Sequence, residues 1–166
     1  MFVYTSGPAG FIAALYDQLE FGRIIDELVP WDRGQCLLSP GDRVKAMVIN
    51  IFCGRRPLYR VNEFYTGMDT ENLFGKGITP DDLTDYNLAR GLDKLHLAGE
   101  EKVFSTLCMH AICQENVPFF FLHSDTTSWS FYGDYENEDV EPNITHGFSK
   151  AKRPDLKQVV VGLGVR

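Results

Sequence analysis

Val117-Pro118-Phe119-Phe120-Phe121-Leu122-His123-Ser124-Asp125-Thr126-Thr127-Ser128 is the stretch at which the chain changes its hydrophobic period. A continuous apolar run replaces spacings of three and four, which predicts a buried strand in place of another helical turn. Side chains alternate along a strand, so Phe121, His123, Asp125 and Thr127 fall on one face. Residues 128–132 either extend this strand or bend away from it. Upstream, the apolar residues recur at helical spacing, as Phe11, Ile12, Leu15, Tyr16 and Leu19 do in the first segment. Ser39-Pro40-Gly41-Asp42 reads as a helix start: an oxygen acceptor, a proline where no amide partner is needed, and an acid in the first turn. Val44, Met47, Val48, Ile51 and Phe52 then mark its expected buried face, and Gly54 its end in the left-handed conformation. Pro57 opens a short helix with Leu58, Val61, Phe64 and Tyr65 inward. Thr79-Pro80-Asp81-Asp82 repeats the capping pattern. Leu88, Leu92 and Leu95 belong to the next helix, up to Gly99, and Val103, Phe104, Leu107, Cys108, Ala111 and Ile112 to the one after.

Downstream, residues 134–141 form an acidic, turn-rich loop, and Gln158-Val159-Val160-Val161-Gly162-Leu163 is a second buried strand. The two strands make at best a hairpin, which is marginal without further strands or a covering helix. The expected organisation is a mainly α N-terminal domain over residues 1–116 followed by the unfinished start of a second domain over 117–166. The helices are expected to form the stable core, with residues 134–153 mobile.

Composition narrows the function. The chain has 166 residues, 44% hydrophobic, enough for a folded core. No apolar run approaches the roughly 18 residues of a membrane span, and no signal-peptide pattern opens the chain, so a cytoplasmic protein with no membrane partner is expected. Cys36, Cys53, Cys108 and Cys113 show no CxxC spacing and read as reduced core thiols. The net charge of −7 means that any nucleic-acid contact must be local. Positive charge gathers in Arg55, Arg56 and Arg60, and in Lys150, Lys152, Arg153 and Lys157. Each group reads either as a phosphate contact or as a solvated or paired surface cluster, with Glu63 a ready partner for the first and a Pro154-Asp155 turn accounting for the second. Cys108, His110 and Cys113 lack a second ligand pair for zinc.

Asp125 is the main catalytic candidate, a carboxylate at the end of an apolar strand and followed by hydroxyl residues. Burying it would require a metal or hydrogen-bond donors. The alternative is a turn cap fed by the residues after it.

Several segments, in order, carry a resemblance: Ile25-Asp26-Glu27-Leu28-Val29-Pro30-Trp31-Asp32, Leu38-Ser39-Pro40-Gly41-Asp42-Arg43-Val44-Lys45-Ala46, Cys53-Gly54-Arg55-Arg56-Pro57-Leu58-Tyr59-Arg60-Val61, His123-Ser124-Asp125-Thr126-Thr127-Ser128, Tyr132-Gly133-Asp134-Tyr135 and Lys152-Arg153-Pro154-Asp155-Leu156-Lys157-Gln158. They resemble a family of prokaryotic insertion-sequence transposases of the Asp-Asp-Glu class. The resemblance implies a helical domain followed by an incomplete α/β, RNase H-like catalytic domain of which only the first β-hairpin is present. It makes Asp125 the first catalytic acid and a ligand of Mg²⁺ or Mn²⁺, and places the second Asp and the Glu beyond this chain. Two metals held by several carboxylates drive strand cleavage and transfer in such enzymes. One acid holds Mg²⁺ weakly, so weak or absent binding and no activity are expected of this polypeptide alone. Implied partners are transposon-end DNA and a second copy or a full-length transposase, with Arg55, Arg56, Arg60, Lys150, Arg153 and Lys157 as the DNA contacts. The family stretch usually reads Ser-Lys-Asp-His-Arg-Pro-Asp-Leu-Lys-Gln; Ala151 and Lys152 stand where Asp and His are expected. The competing reading is a stand-alone regulatory protein that binds DNA or a transposase.

Overall fold

A computed structural model describes residues 7–118, 123–133, 144–147 and 152–165. The chain is mainly helical, with a two-stranded antiparallel sheet near its C-terminus. It divides into two compact units, Met1–Val117 and Pro118–Arg166.

Among the described residues the first unit contains seven α-helices: α1 (Ala9–Gln18), α2 (Phe21–Leu28), α3 (Pro40–Cys53), α4 (Val61–Tyr65), α5 (Thr70–Phe74), α6 (Asp85–Ala98) and α7 (Glu100–Gln114). α3 is the hub, packing against α1, α2, α4 and α6. Its start is fixed as the sequence predicts. Ser39 Oγ accepts from the Asp42 amide at 3.0 Å, and the Asp42 carboxylate accepts from the Ser39 amide at 3.2 Å. Asp26 adds a third anchor by accepting from the Gly41 amide at 2.7 Å.

Because α3 is surrounded, its burial is not a single stripe. Ala46 and Ile49 are fully buried, and Arg43, Lys45 and Asn50 are buried with them. Val44, Met47 and Val48 are only half-buried, whereas Ile51 and Phe52 are exposed, which corrects the expected face. Long cationic side chains can lie along apolar surface by their methylene stems, so charge does not keep Arg43 and Lys45 outside.

A similar correction applies to α1. Its buried residues are Ala9, Ala13 and Tyr16, while Phe11 and Leu15 face outward. Small residues let the helix approach α3, and Tyr16 is fixed by donating its hydroxyl to the Gly41 carbonyl at 2.9 Å. Burial pushes the phenol pKa of both Tyr16 and Tyr65 well up, so each hydroxyl remains a donor. Tyr65 donates to the Ala46 carbonyl at 2.8 Å, and with Val61 it fills the α3–α4 contact, as expected from the Pro57 segment.

Two boundaries differ from expectation. Gly54 closes α3 at φ −120°, and the left-handed residue is Arg55 at φ 48°. Glycine is required at 54 for space, because a Cβ there would collide with the Phe64 ring. Thr79 starts only a short 3-10 turn, Pro80–Asp82, since the Asp82 carboxylate folds back onto the Thr79 amide and hydroxyl at 2.8 and 2.7 Å. α6 then has its own cap, with Thr84 Oγ1 accepting from the Asn87 amide at 3.3 Å.

In the second unit, β1 (His123–Phe131) pairs antiparallel with β2 (Lys157–Val165), from His123 opposite Val165 to Phe131 opposite Lys157. Residues 128–131 therefore continue the strand. Thr145 forms a single bridge to Gln158 on the other edge of β2. The expected buried strands are corrected in their described residues. His123 to Thr127 are exposed, as are Val160, Val161 and Leu163, because a two-stranded sheet has little with which to cover its faces. Residues 119–122, and those of the expected mobile loop at 134–143 and 148–151, lie outside the described residues.

Candidate functional site

Asp125 stands in β1 opposite Leu163, flanked on the same face by His123 opposite Val165 and Thr127 opposite Val161. Its carboxylate is exposed, and Oδ1 accepts from the Thr126 amide at 2.8 Å. Both halves of the sequence argument therefore change. The carboxylate is not buried, so no metal is needed to compensate its desolvation, and its amide contact lies within a paired strand and caps no turn. The described residues contain no group of three or more His, Cys, Asp or Glu arranged to hold a metal ion. A single exposed carboxylate does not fit a pair of divalent ions, which need several bridging and terminal oxygen ligands.

The basic residues of the hairpin lie away from this acid. Lys157 faces Phe131, six register positions along the strand from Asp125, or about 20 Å at the usual rise. Arg153 belongs to the same far end. Its guanidinium grips Asp155 at 2.6 to 3.1 Å and sits 6.0 Å from the Tyr132 ring centroid. The Arg153 carbonyl accepts from the Leu156 amide, so Pro154 and Asp155 occupy the middle of a turn, as the structural reading of this segment expects. The pairing holds the Asp155 carboxyl below the usual carboxylate range. Lys150 lies outside the described residues.

In the helical unit, Arg55 and Arg56 follow the end of α3. Asn50 holds this corner by accepting from the Arg56 amide at 3.1 Å and donating to the Arg56 carbonyl at 2.8 Å. Both arginines are exposed, and neither forms a salt bridge among the described residues. Arg60 instead pairs with Glu63 at 2.7 Å, one of the alternatives read from the sequence. The cluster thus offers two exposed cations, Arg55 and Arg56, to an anionic partner.

His110 Nε2 lies 3.5 Å from the Glu20 carboxylate, an electrostatic contact too long for a good hydrogen bond. What sequence reasoning missed is a set of cations distant in sequence: Arg43 on α3 and Arg90 and Lys94 on α6 line one cavity. No contiguous basic cluster in the sequence marks them. The available signal was the Arg90-Gly91 pair facing a helix with an inward Arg43, and it becomes readable only once α3 and α6 are known to pack.

The architecture defines the chain as a capped helical bundle followed by a β-hairpin with the exposed Asp125 on its first strand. It belongs to the family described as a domain of unknown function (DUF4277), whose model matches residues 7–109. That match lies within the helical unit and does not include Asp125. Nothing among the curated proteins or the solved structures matches the chain. No helix among the described residues is long and apolar enough to cross a membrane.

Proposed function

We propose that this chain is the N-terminal portion of an Asp-Asp-Glu transposase, acting in DNA transposition through metal-dependent strand cleavage and transfer once the remaining catalytic carboxylates are supplied. The hairpin would be the first element of an RNase H-like catalytic domain. The observation that carries the reading is Asp125, a solvent-accessible carboxylate within a strand, at the place where the resemblance puts the first catalytic acid. An acid held on a sheet is positioned rigidly, which a metal-ligating carboxylate requires. DNA is the expected partner, met by the exposed Arg55 and Arg56 and by Lys157.

A second reading, a stand-alone protein that binds DNA or a transposase and regulates it, is favoured by the lone carboxylate. The coding DNA after the Arg166 codon separates the two. Under the first reading, one of its frames encodes a strand bearing an Asp and a later helix bearing a Glu. A protein that includes them should then nick transposon-end DNA with Mg²⁺, and Asp125→Asn should abolish the nicking. Retained cleavage in that variant would refute the role of Asp125, and the absence of any such downstream segment would favour the regulatory protein.

A further inference from the structure

The geometry points to a phosphoryl-binding pocket in the helical unit, built from Arg43, Arg90 and Lys94. The cavity, about 330 Å³, is bounded by these three cations, by Asp82 and Asn87, and by residues 35–38 of the loop before α3. This is the size of a small-ligand site. Arg43 is the unusual member. It is only 7% exposed, its Nε is buried without a hydrogen-bond partner, and it forms no salt bridge among the described residues.

A buried guanidinium nitrogen without an acceptor is unfavourable, and an anion in the pocket would supply one. The packing nevertheless holds Arg43 in place. The Arg43 stem lies across Gly91 of α6, where a Cβ would come within 3.1 to 3.2 Å of its methylenes. Any larger residue at 91 would press the stem away from its seat.

The other charges leave the pocket positive. Arg90 is turned toward its neighbour Tyr86, 5.5 Å from the ring centroid and donating to its hydroxyl at 3.4 Å, and neither Arg90 nor Lys94 has an ion pair among the described residues. The one acid in the wall, Asp82, is engaged with the Thr79 amide and hydroxyl. Three cations against one occupied carboxylate suit a tetrahedral oxyanion with several acceptors. Arginine forks match that geometry in two-point contacts. The site shares no residue with the Arg55–Arg60 cluster or with the hairpin, and it does not rest on the transposase reading. The phosphoryl group could come from a DNA backbone or from a free phosphate compound, which share this chemistry.

The test is calorimetric titration of the full chain with sodium phosphate against chloride at constant ionic strength. One saturable site is expected, weakened about tenfold or more both in Arg43→Met and in the surface pair Arg90→Gln with Lys94→Gln, since each removes a charge-assisted contact. The surface pair keeps the test valid if Arg43→Met fails to fold, because Arg90 is exposed and Lys94 only half-buried. A short DNA duplex that displaces phosphate from the unmodified protein identifies the backbone as the source; phosphate binding that persists at saturating duplex identifies a free phosphate compound. No phosphate binding beyond the chloride control, or equal affinity in the unmodified protein and the surface pair, overturns the inference.

Discussion

Replacing Asp17 with Asn should destabilise the helical unit more than replacing its partner Lys45 with Met. Lys45 Nζ sits at the junction of α1, α3 and α5, bonded to both Asp17 carboxylate oxygens at 2.8 and 2.7 Å and to the Leu73 carbonyl at 2.8 Å, with the Phe74 ring centroid 5.9 Å away. The side chains differ in exposure: 7% for Lys45 and 62% for Asp17. In Asp17→Asn the ammonium stays buried and loses its counter-charge, the situation that costs about 3 to 5 kcal/mol when both partners are buried. Water reaches the Asp17 side of this pair, so the expected loss is smaller, about 1 to 2 kcal/mol. In Lys45→Met the charge disappears with its need for a partner, Asp17 returns to solvent, and only the Leu73 carbonyl loses a donor, a cost of about 0 to 1 kcal/mol. The double variant should match Lys45→Met. Urea melts followed by far-ultraviolet circular dichroism report the helical unit directly, because all the described helices lie in it. In heat, each kcal/mol corresponds to about 4 to 8 °C in Tm for a domain near this size. A Lys45→Met loss larger than that of Asp17→Asn would refute the reasoning, because the pair would then be a net source of stability and not a compensated charge.

Gly54→Ala should lower stability by about 1 to 3 kcal/mol, since the added methyl meets the Phe64 ring and either the ring or the backbone must move; an unchanged urea midpoint would show that the ring yields freely. The His96–Glu100 contact of 2.6 Å, across the α6–α7 junction, raises the His96 pKa and lowers that of Glu100, in each case chiefly through their hydrogen bond. The histidine contribution is complete below its ordinary value of 6.5 and fades as pH rises through its raised folded value, while the glutamate contribution is complete above 4.5 and fades as pH falls through its lowered one. The pair therefore acts fully between these limits, and an NMR titration should place the His96 midpoint above 6.5, returning toward it in Glu100→Gln; an identical midpoint in both proteins would refute the contact. Asp125→Asn should alter stability by less than about 0.5 kcal/mol, because the exposed side chain can still accept from the Thr126 amide. A loss above about 1 kcal/mol would make Asp125 a structural residue and weaken its assignment as a catalytic acid.

The parts of this fold that were readable are those in which one short segment determines its own geometry. Ser39 and Asp42 satisfy each other's amides whatever surrounds them, and the Pro57 segment places Val61 and Tyr65 by helical spacing alone. The break between α1 and α2 was not readable, because the left-handed residue there is Glu20, and the nearby Gly22 already lies inside α2. Nor was the burial around α3, where period predicts one stripe but four neighbouring helices require several. Periodicity measures how residues are distributed around an element, and only packing decides how many sides are covered.

That distinction also governs the candidate sites. Asp125 could be found from its neighbours in sequence, but its exposure depends on what lies against the sheet. The face it shares with Trp129, Val161 and Leu163 leaves these apolar side chains 57%, 43% and 51% exposed. An apolar face of that kind is stabilised by whatever further structure covers it. Covering it would also remove water from Asp125, raising the cost of its charge and with it the affinity for a compensating cation. Assembly of the sheet and readiness of the acid would then be one event. The pocket formed by Arg43, Arg90 and Lys94 has the opposite character: Arg43 is already buried within the helical unit, so the pocket can select an anion without further assembly.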